Sequence, residues 1–519
     1  MFPGGSIRPP QRGITMTANA ADANADRGAT AAAPSTSSSP HLPHQQNNPV
    51  VVGCGSCGVD YLAAVAAFPK PDEKLRTETL ESQGGGNAAN ALTAAARLGL
   101  RTRLVSKVGG DGLAEGISAE LRRDGVDDTH VLRASTGVAS PFTYIIVDRQ
   151  GGTRTCIHTP LSEPLKPEEL SPSLVEAALT VQEEEGDAAN ANKAAVVYFD
   201  GRMADAAIRL AQAARKKGIP VLVEGERPRP GLDDLLAQAD VVCTSAHFPK
   251  EWTGKKTTGE ALAALARRLP RAKVLVTTLG AQGAVMLVRE EGERAALLPP
   301  RTPPATGREG DEVAFLPGSG PSASSSTPQS LDDLIERLKT LANAETGRSK
   351  GARDPSNAAS CVASVDGQPV RVAASVVAAT PTPVSLLAPG MSLEEACAAA
   401  ESAARAAAMN ADAANARAYG DNSGGSEEDD AGGAAAAAPV VRATVLFAPA
   451  ALLPSPEAVV DTTGAGDAFI GSIVYALAKG LPAHRALRLA GVVAAAKCTA
   501  LGARPGLPLS RSVDVGLLG

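Results

Sequence analysis

The sequence predicts an α/β fold in which a mostly parallel central sheet is covered by helices and a second, small sheet stands beside it. Three observations carry that prediction. Short Val/Leu/Ile runs alternate with helical repeats through much of the chain. Glycine-rich turns near both ends of the patterned sequence lead directly into helical repeats. Four further strand-like segments, 60–67, 75–82, 142–148 and 153–158, suit a separate small sheet.

The chain has 519 residues, but only 3% are aromatic, and Ala, Gly, Pro and Ser crowd particular segments. Residues 1–48 are rich in Ala, Ser, Thr, Pro, Asn and Gln and predict a disordered tail. Arg8, Arg12 and Arg27 would also suit a transit peptide, against which Asp22 and Asp26 weigh. Seven cysteines, an odd number in a long chain, fit a reduced intracellular compartment, plastid or cytoplasm. The formal net charge is -6 with both signs mixed along the chain, so nothing favours nucleic acid or an anionic membrane as a partner. No apolar run reaches the ~18 residues of a membrane span.

Folded sequence begins at Pro49-Val50-Val51-Val52-Gly53, a buried-strand pattern. It continues into Gly53-Cys54-Gly55-Ser56-Cys57-Gly58, the spacing of a dinucleotide fingerprint, with Asp72 near the distance of a ribose-binding acid. Asp72 stands in the turn Pro69-Lys70-Pro71-Asp72-Glu73, and a strand rather than a helix follows Gly58, so the fingerprint lacks its context. Cys54 and Cys57 have no second pair at zinc-ligand spacing and read as ordinary cysteines. Next, Gly84-Gly85-Gly86-Asn87-Ala88-Ala89-Asn90 opens an Ala/Leu-rich helix ending near Leu98-Gly99. Asn87 and Asn90 project from one side of its first turn, and carboxamides both donate to and accept from sugar hydroxyls. A tight turn with an Asn cap is the plainer reading of the same residues.

The alternation then predicts strands at 102–108, 142–147, 195–199, 220–224, 240–244, 274–278 and 284–288, and helices at 112–123, 203–216, 231–238 and 258–268. After Val274-Leu275-Val276-Thr277-Thr278 a glycine turn and a second strand leave room for a flat ligand such as a nucleobase, or form a simple hairpin. Residues 289–441 read as a low-complexity insertion holding two local helices, one over 330–341 and one capped by Ser392 and Glu395. The core is therefore expected over 49–288 and 442–519.

Near the end stands Asp461-Thr462-Thr463-Gly464-Ala465-Gly466-Asp467, followed by Phe469, Ile470, Ile473, Val474 and Leu477 at helical spacing. A glycine-rich turn into a helix N-terminus aims backbone N–H groups at one spot, and Asp467 puts a carboxylate beside it. A base next to an anion hole is what phosphoryl transfer to a hydroxyl requires. An ordinary helix cap is the alternative.

Together these motifs resemble the ribokinase-like (PfkB) family of carbohydrate and nucleoside kinases, over about 49–288 and 442–510. The resemblance implies a three-layer α/β/α sandwich with a small β-lid, and ATP-dependent phosphorylation of a monosaccharide or, alternatively, of a nucleoside such as pseudouridine or adenosine. A catalytically silent scaffold is the reading from another class. By resemblance Asp467 is the base, and Gly464, Ala465 and Gly466 supply the N–H groups. Asp60, Gly86, Asn87 and Asn90 hold sugar hydroxyls, Asp72 lies near the lid, and Arg154 is a lid arginine. Thr278, Gly280, Gly283 and Glu226 border the nucleotide. Asp461 and Thr463 match a loop for a monovalent cation, K⁺, while Mg²⁺ enters with ATP. A homodimer through the lid is expected. The Asn-x-x-Glu motif of many members is missing, since Val241-Val242-Cys243-Thr244 continues as Ser245-Ala246-His247-Phe248. Glu224 or Glu226 is then the expected substitute, in a Val223-Glu224-Gly225-Glu226-Arg227-Pro228 pattern that, with Phe199-Asp200-Gly201-Arg202, is similar to the ketohexokinase branch.

Overall fold

The computed structural model describes residues 48–151, 153–181, 193–289, 314–315, 331–349, 361–365, 368–371, 377–379, 443–453, 455, 458–513 and 515–518. The expected tail before residue 48 and the helix capped by Ser392 and Glu395 lie outside them. Strand β1 (Val50–Cys54) is followed by β2 (Gly58–Val65), β3 (Thr79–Gly85), α1 (Asn87–Arg97), β4 (Arg101–Gly110), α2 (Gly112–Arg123) and β5 (Val126–Thr136). Next come β6 (Phe142–Asp148), β7 (Thr153–Thr159), α3 (Pro172–Leu179), β8 (Val196–Phe199), α4 (Ala204–Lys216), β9 (Val221–Gly225) and α5 (Leu232–Leu236). They lead to β10 (Val241–Thr244), α6 (Phe248–Thr253), α7 (Thr258–Arg268), β11 (Val274–Thr278) and β12 (Ala284–Arg289). The remainder comprises β13 (Ala314–Phe315), α8 (Leu331–Ser349), β14 (Cys361–Val365), β15 (Gln368–Arg371), β16 (Val377–Ala379), β17 (Ala443–Ala448), α9 (Ala465–Lys479), α10 (Ala483–Lys497) and α11 (Val515–Leu518).

The main sheet has the order β13-β16-β17-β12-β11-β10-β9-β8-β1-β4-β5. Every pair from β11 through β5 is parallel, while β12 runs antiparallel to both β11 and β17. Alternate residues of each strand feed opposite faces, as the two-residue period requires. Val51, Tyr198 and Val241 pack towards α1, α2, α9 and α10, whereas Val52, Phe199 and Val242 pack towards α3, α4, α5, α7 and α8. Helices on both faces of a mainly parallel sheet make three layers, as the sequence predicts. The four strand-like segments form one separate sheet in the order β3-β2-β6-β7. Leu62, Ala64, Ile145 and Val147 bury one of its faces, and Tyr144 and Ile157 leave the other exposed.

Several elements carry too little pattern to be read from sequence. Strand β5 sits at a sheet edge with only Val126 fully buried, so it lacks an apolar run. Helix α10 is Ala-rich and buried along most of its length, which erases the amphipathic period. Part of the segment 289–441, expected as a low-complexity insertion, packs against the core. The helix expected over 330–341 forms as α8, and Leu331, Leu334, Ile335 and Leu338 are buried in the same cluster as β17 and α7. Its Asp332 accepts hydrogen bonds from Gly259 N (2.7 Å) and Thr257 Oγ1 (2.6 Å), pinning it to the start of α7. Strand β16 also extends the main sheet beside β17. No helix among the described residues is long and apolar enough to cross a membrane.

Leu338 has 0% exposure. Leu338→Ala is expected to cost about 2–5 kcal/mol in a denaturation experiment, the range for opening a cavity in a packed core. A loss under about 0.5 kcal/mol, the level of a neutral surface change, would return α8 to the status of decoration.

Candidate active site

Strand β1 passes to β4 on one side and lies beside β8 on the other, so the chain order reverses around it and a crevice opens at the carboxyl ends. The residues following β1, β8 and β9 meet there. Asp200, directly after β8, accepts from both Ser56 N and Ser56 Oγ at 2.7 Å. Ser56 Oγ in turn accepts from Asn87 N at 3.0 Å, which sets the start of α1 against the end of β1. Every glycine of the apparent dinucleotide fingerprint has a packing reason. A Cβ at Gly53, Gly55 or Gly58 would strike Leu92, Asp200 or Pro141. A strand follows Gly58, so the fingerprint has no helix to complete it.

Asp467 lies in the first turn of α9, whose preceding residue Gly464 takes the left-handed conformation (φ 76°). A Cβ on Gly464 would meet Ala503 at 2.7 Å, whereas one on Gly466 meets nothing within 4 Å. Of the three N–H groups expected to face an anion, that of Ala465 donates to Thr462 O (3.2 Å) across the turn. The Asp467 carboxyl is 9% exposed, and Asn90 Nδ2 donates to its Oδ2 at 2.8 Å. Burial pushes that carboxyl up to about 7, while the bond from Asn90 pulls the other way. Asp60, on β2, is also buried. Burial lifts it to about 6 against the Thr143 hydroxyl and the Arg504 guanidinium.

Arg504 organises the sugar-type loop and was not singled out in the sequence. Its Nε donates to Asn90 Oδ1 at 3.0 Å, so Asn90 is held at both ends of its carboxamide. Asp124 (3.3 Å) and Glu120 (3.4 Å) flank the same guanidinium, which is 3% exposed. The triple glycine is shaped by these partners. A Cβ at Gly84 would fall 2.3 Å from Arg504, one at Gly85 2.2 Å from the Asp60 carboxylate, and one at Gly86 2.6 Å from the Ser56–Cys57 backbone. The signal for Arg504 was a lone charge within Gly502-Ala503-Arg504-Pro505-Gly506.

Arg202 links the two sides of the crevice. Its Nη2 reaches Asn87 Oδ1 (3.3 Å) and Glu226 Oε2 (3.1 Å), and Arg229 also donates to Glu226 (3.0 Å). Glu226 is thus an acceptor for guanidinium groups. Glu224 is buried with Tyr198 OH donating to it at 2.8 Å, and burial plus the nearby Asp467 raise its carboxyl well above the usual range. Among the described residues no group of three His, Cys, Asp or Glu is placed to hold a metal ion. The residues thus do not fit a protein-borne Mg²⁺ cage.

Arg154 reaches from the small sheet to the loop, with its Nη1 donating to Thr462 Oγ1. Asp72 does not join the cluster. It is exposed in its turn at φ 63°, and no hydrogen bond or ion pair ties it to the other site residues described. Thr278 ends β11 and donates to Thr244 O (3.4 Å). Gly280 (φ 59°) faces open space, but a Cβ on Gly283 would fall 2.0 Å from Ala448 O, so that glycine answers to strand packing. Asp461 and Thr463 form a closed set in which Thr463 N (2.9 Å) and Oγ1 (2.8 Å) donate to Asp461 Oδ1, and Gly502 N donates to Oδ2 (2.8 Å). Lys497 Nζ meets the Asp461 carbonyl at 2.7 Å. Cys54 and Cys57 are buried free thiols, and burial pushes Cys57 up to about 11.

The pfkB family carbohydrate kinase pattern matches residues 48–304 and 433–509. The Haemophilus influenzae ribokinase is 25% identical over 235 residues, 44% of this chain and 71% of its own length. The Mus musculus ketohexokinase is 26% identical over 234 residues, 44% of this chain and 73% of its own. A solved Agrobacterium tumefaciens structure assigned as a ribokinase superposes with a TM-score of 0.52 at 18% identity, covering 91% of this chain and 97% of that one, a likeness of fold.

The raised Asp467 carboxyl has a consequence for stability. From its ordinary 3.8 up to about 7 the folded state holds the proton more tightly than the unfolded chain, so stability is lost as pH rises through that window. Asp467→Asn removes this penalty. Its melting temperature is expected to exceed that of the wild type by a few °C, on the order set by the entropy of unfolding, with the gap widening from pH 5 to 8. A gap that stays constant with pH would show that the carboxyl is not raised.

Proposed function

The chain belongs to the pfkB family of carbohydrate kinases, and we propose that it transfers the γ-phosphoryl group of ATP to a hydroxyl of a monosaccharide, a ketohexose or a pentose, with Asp467 as general base. The observation that carries this reading is the Asn90–Asp467 hydrogen bond of 2.8 Å, which joins the sugar-type loop to the anion-type loop. A hydroxyl bound by Asp60, Asn87 and Asn90 would lie beside a carboxylate whose affinity for protons matches neutral pH.

The proton passes from the sugar hydroxyl to the Asp467 carboxylate as the oxygen bonds to the γ-phosphorus and the bond to the β-phosphate oxygen breaks, releasing ADP. The N–H groups of Gly464 and Gly466 and the positive end of α9 stabilise the charge on the transferring group. Arg154, already on Thr462, adds a guanidinium from the lid side. The adenine and ribose run along Thr278 and Gly280. Glu226 orients Arg202 and through it Asn87, so its role lies nearer the reacting groups than the nucleoside. Mg²⁺, when bound, would neutralise phosphate charge and be held mainly by phosphate oxygens and water, as that small hard cation prefers.

ADP release measured across ketohexoses, pentoses and nucleosides tests the activity and chooses the acceptor. Asp467→Asn is expected to lower kcat by about 10²–10⁴, the usual worth of a positioned base, with KM little changed. Equal turnover by the variant would remove the base role. In the wild type kcat/KM should fall as pH drops through about 7, since the base must be unprotonated to act. Arg504→Met leaves Asn90 half-satisfied and is expected to cost about 10–100-fold in kcat/KM, the worth of one hydrogen bond to a charged group. An unchanged kcat/KM would make Arg504 purely structural.

A further inference from the structure

The family resemblance assigns the loop beginning at Asp461 to a monovalent cation, but a side chain of this protein already meets its oxygens. Lys497 lies at the end of α10 and is 0% exposed. Its Nζ donates to the main-chain oxygens of Asp461 (2.7 Å) and Ala500 (3.3 Å), which come from two different loops. Converging backbone carbonyls are the donor set that a bare monovalent cation takes in place of its water. Three of the roughly four acceptor positions of the Asp461 carboxylate are already taken, two at Oδ1 by Thr463 and one at Oδ2 by Gly502. The charged groups facing Lys497 are Asp461, Asp467 and Arg154. A second cation at hydrogen-bond distance from the same oxygens would sit a few ångströms from the ammonium, where like charges repel strongly in a water-poor interior.

We propose that the Lys497 ammonium is the resident monovalent cation of this loop, so that the protein does its chemistry without K⁺ at Asp461 and Thr463. Lys497 is then a positioning residue. A trans peptide directs its N–H opposite to its carbonyl, so anchoring the Asp461 carbonyl on Nζ turns the Thr462 N–H the other way. The same anchor holds the run Thr462–Gly466 that presents the N–H groups of the anion site. The activity arm of the test rests on the kinase reading, and the melting arm does not.

Initial rates of ADP release and melting temperatures are to be compared in KCl and in tetramethylammonium chloride at equal ionic strength. The wild type is expected to show the same kcat within about twofold and the same melting temperature in both salts, because no bound K⁺ shifts its stability by mass action. Lys497→Ala should lose at least about tenfold in kcat in tetramethylammonium, with a smaller change in KM, and should recover in K⁺ or NH₄⁺. Recovery should come with a K⁺-specific rise in melting temperature that Lys497→Met, which fills the space without charge, does not show. Activation or stabilisation of the wild type by K⁺ alone would overturn the proposal, whether or not either variant folds. A folded Lys497→Ala as active as the wild type in tetramethylammonium would overturn it too. Failure to turn over any sugar or nucleoside counts against the kinase reading and leaves the melting comparison to decide the cation.

Discussion

Keeping an ionisable carboxyl at Asp467 inside the protein is the constraint on which the rest of the site depends. Removing a carboxylate from water is expensive unless donors replace the water, and here the replacement is assembled in stages. Asn90 donates to Asp467 and is itself held by Arg504, which is held by Asp124 and Glu120. Gly84 must lack a Cβ for the guanidinium to fit, and Gly85 must lack one for Asp60. A buried acid therefore reaches, through two further residues, into the helix α2 and the triple-glycine loop. The partial compensation leaves the carboxyl at about 7 rather than in the usual range, which suits the proton-accepting role proposed for it.

The parallel sheet explains why these residues meet at all. Strands that run the same way deliver their carboxyl ends to one edge, and the reversal of order at β1 leaves space between the loops after β1 and β8. The loop after β8 pays for its shape with backbone strain. Met203 holds a left-handed φ of 54°, and Gly201 (φ 70°) passes so close to the Glu224 carbonyl that a Cβ would sit 2.6 Å from it. That turn presents Asp200 to Ser56 and Arg202 to Asn87, tying the first and eighth strands to the helix that the sugar-type loop opens.

Much of this architecture is visible in the amino-acid order because periodicity reports burial. The continuous apolar run in Val241-Val242-Cys243 and its relatives marks strands sandwiched between helices, and the apolar spacing of Leu331, Leu334, Ile335 and Leu338 marks α8. What periodicity does not report is the destination of a buried face. Leu338 reads the same whether its helix covers a core or stands alone, and only its position between α7 and β17 separates the two. The polar edge strand β5 and the Ala-rich, mostly buried α10 lack a readable period for opposite reasons.

The sequence by itself determined the layered α/β class, the separate small sheet, the two glycine-rich turns and the acid at 467, because these are properties of short stretches of chain. It pointed to Gly86, Asn87 and Asn90 for the same reason. Tertiary structure alone decided which charges meet. It paired Arg504 with Asn90 across 414 positions of sequence, turned Glu224 inward to Tyr198, bound Glu226 to Arg202 and Arg229, and left Asp72 at an exposed turn. It also set Lys497 on the carbonyls of Asp461 and Ala500. A charged side chain has no period of its own, and its partner is chosen by distance in the folded chain rather than by spacing along it.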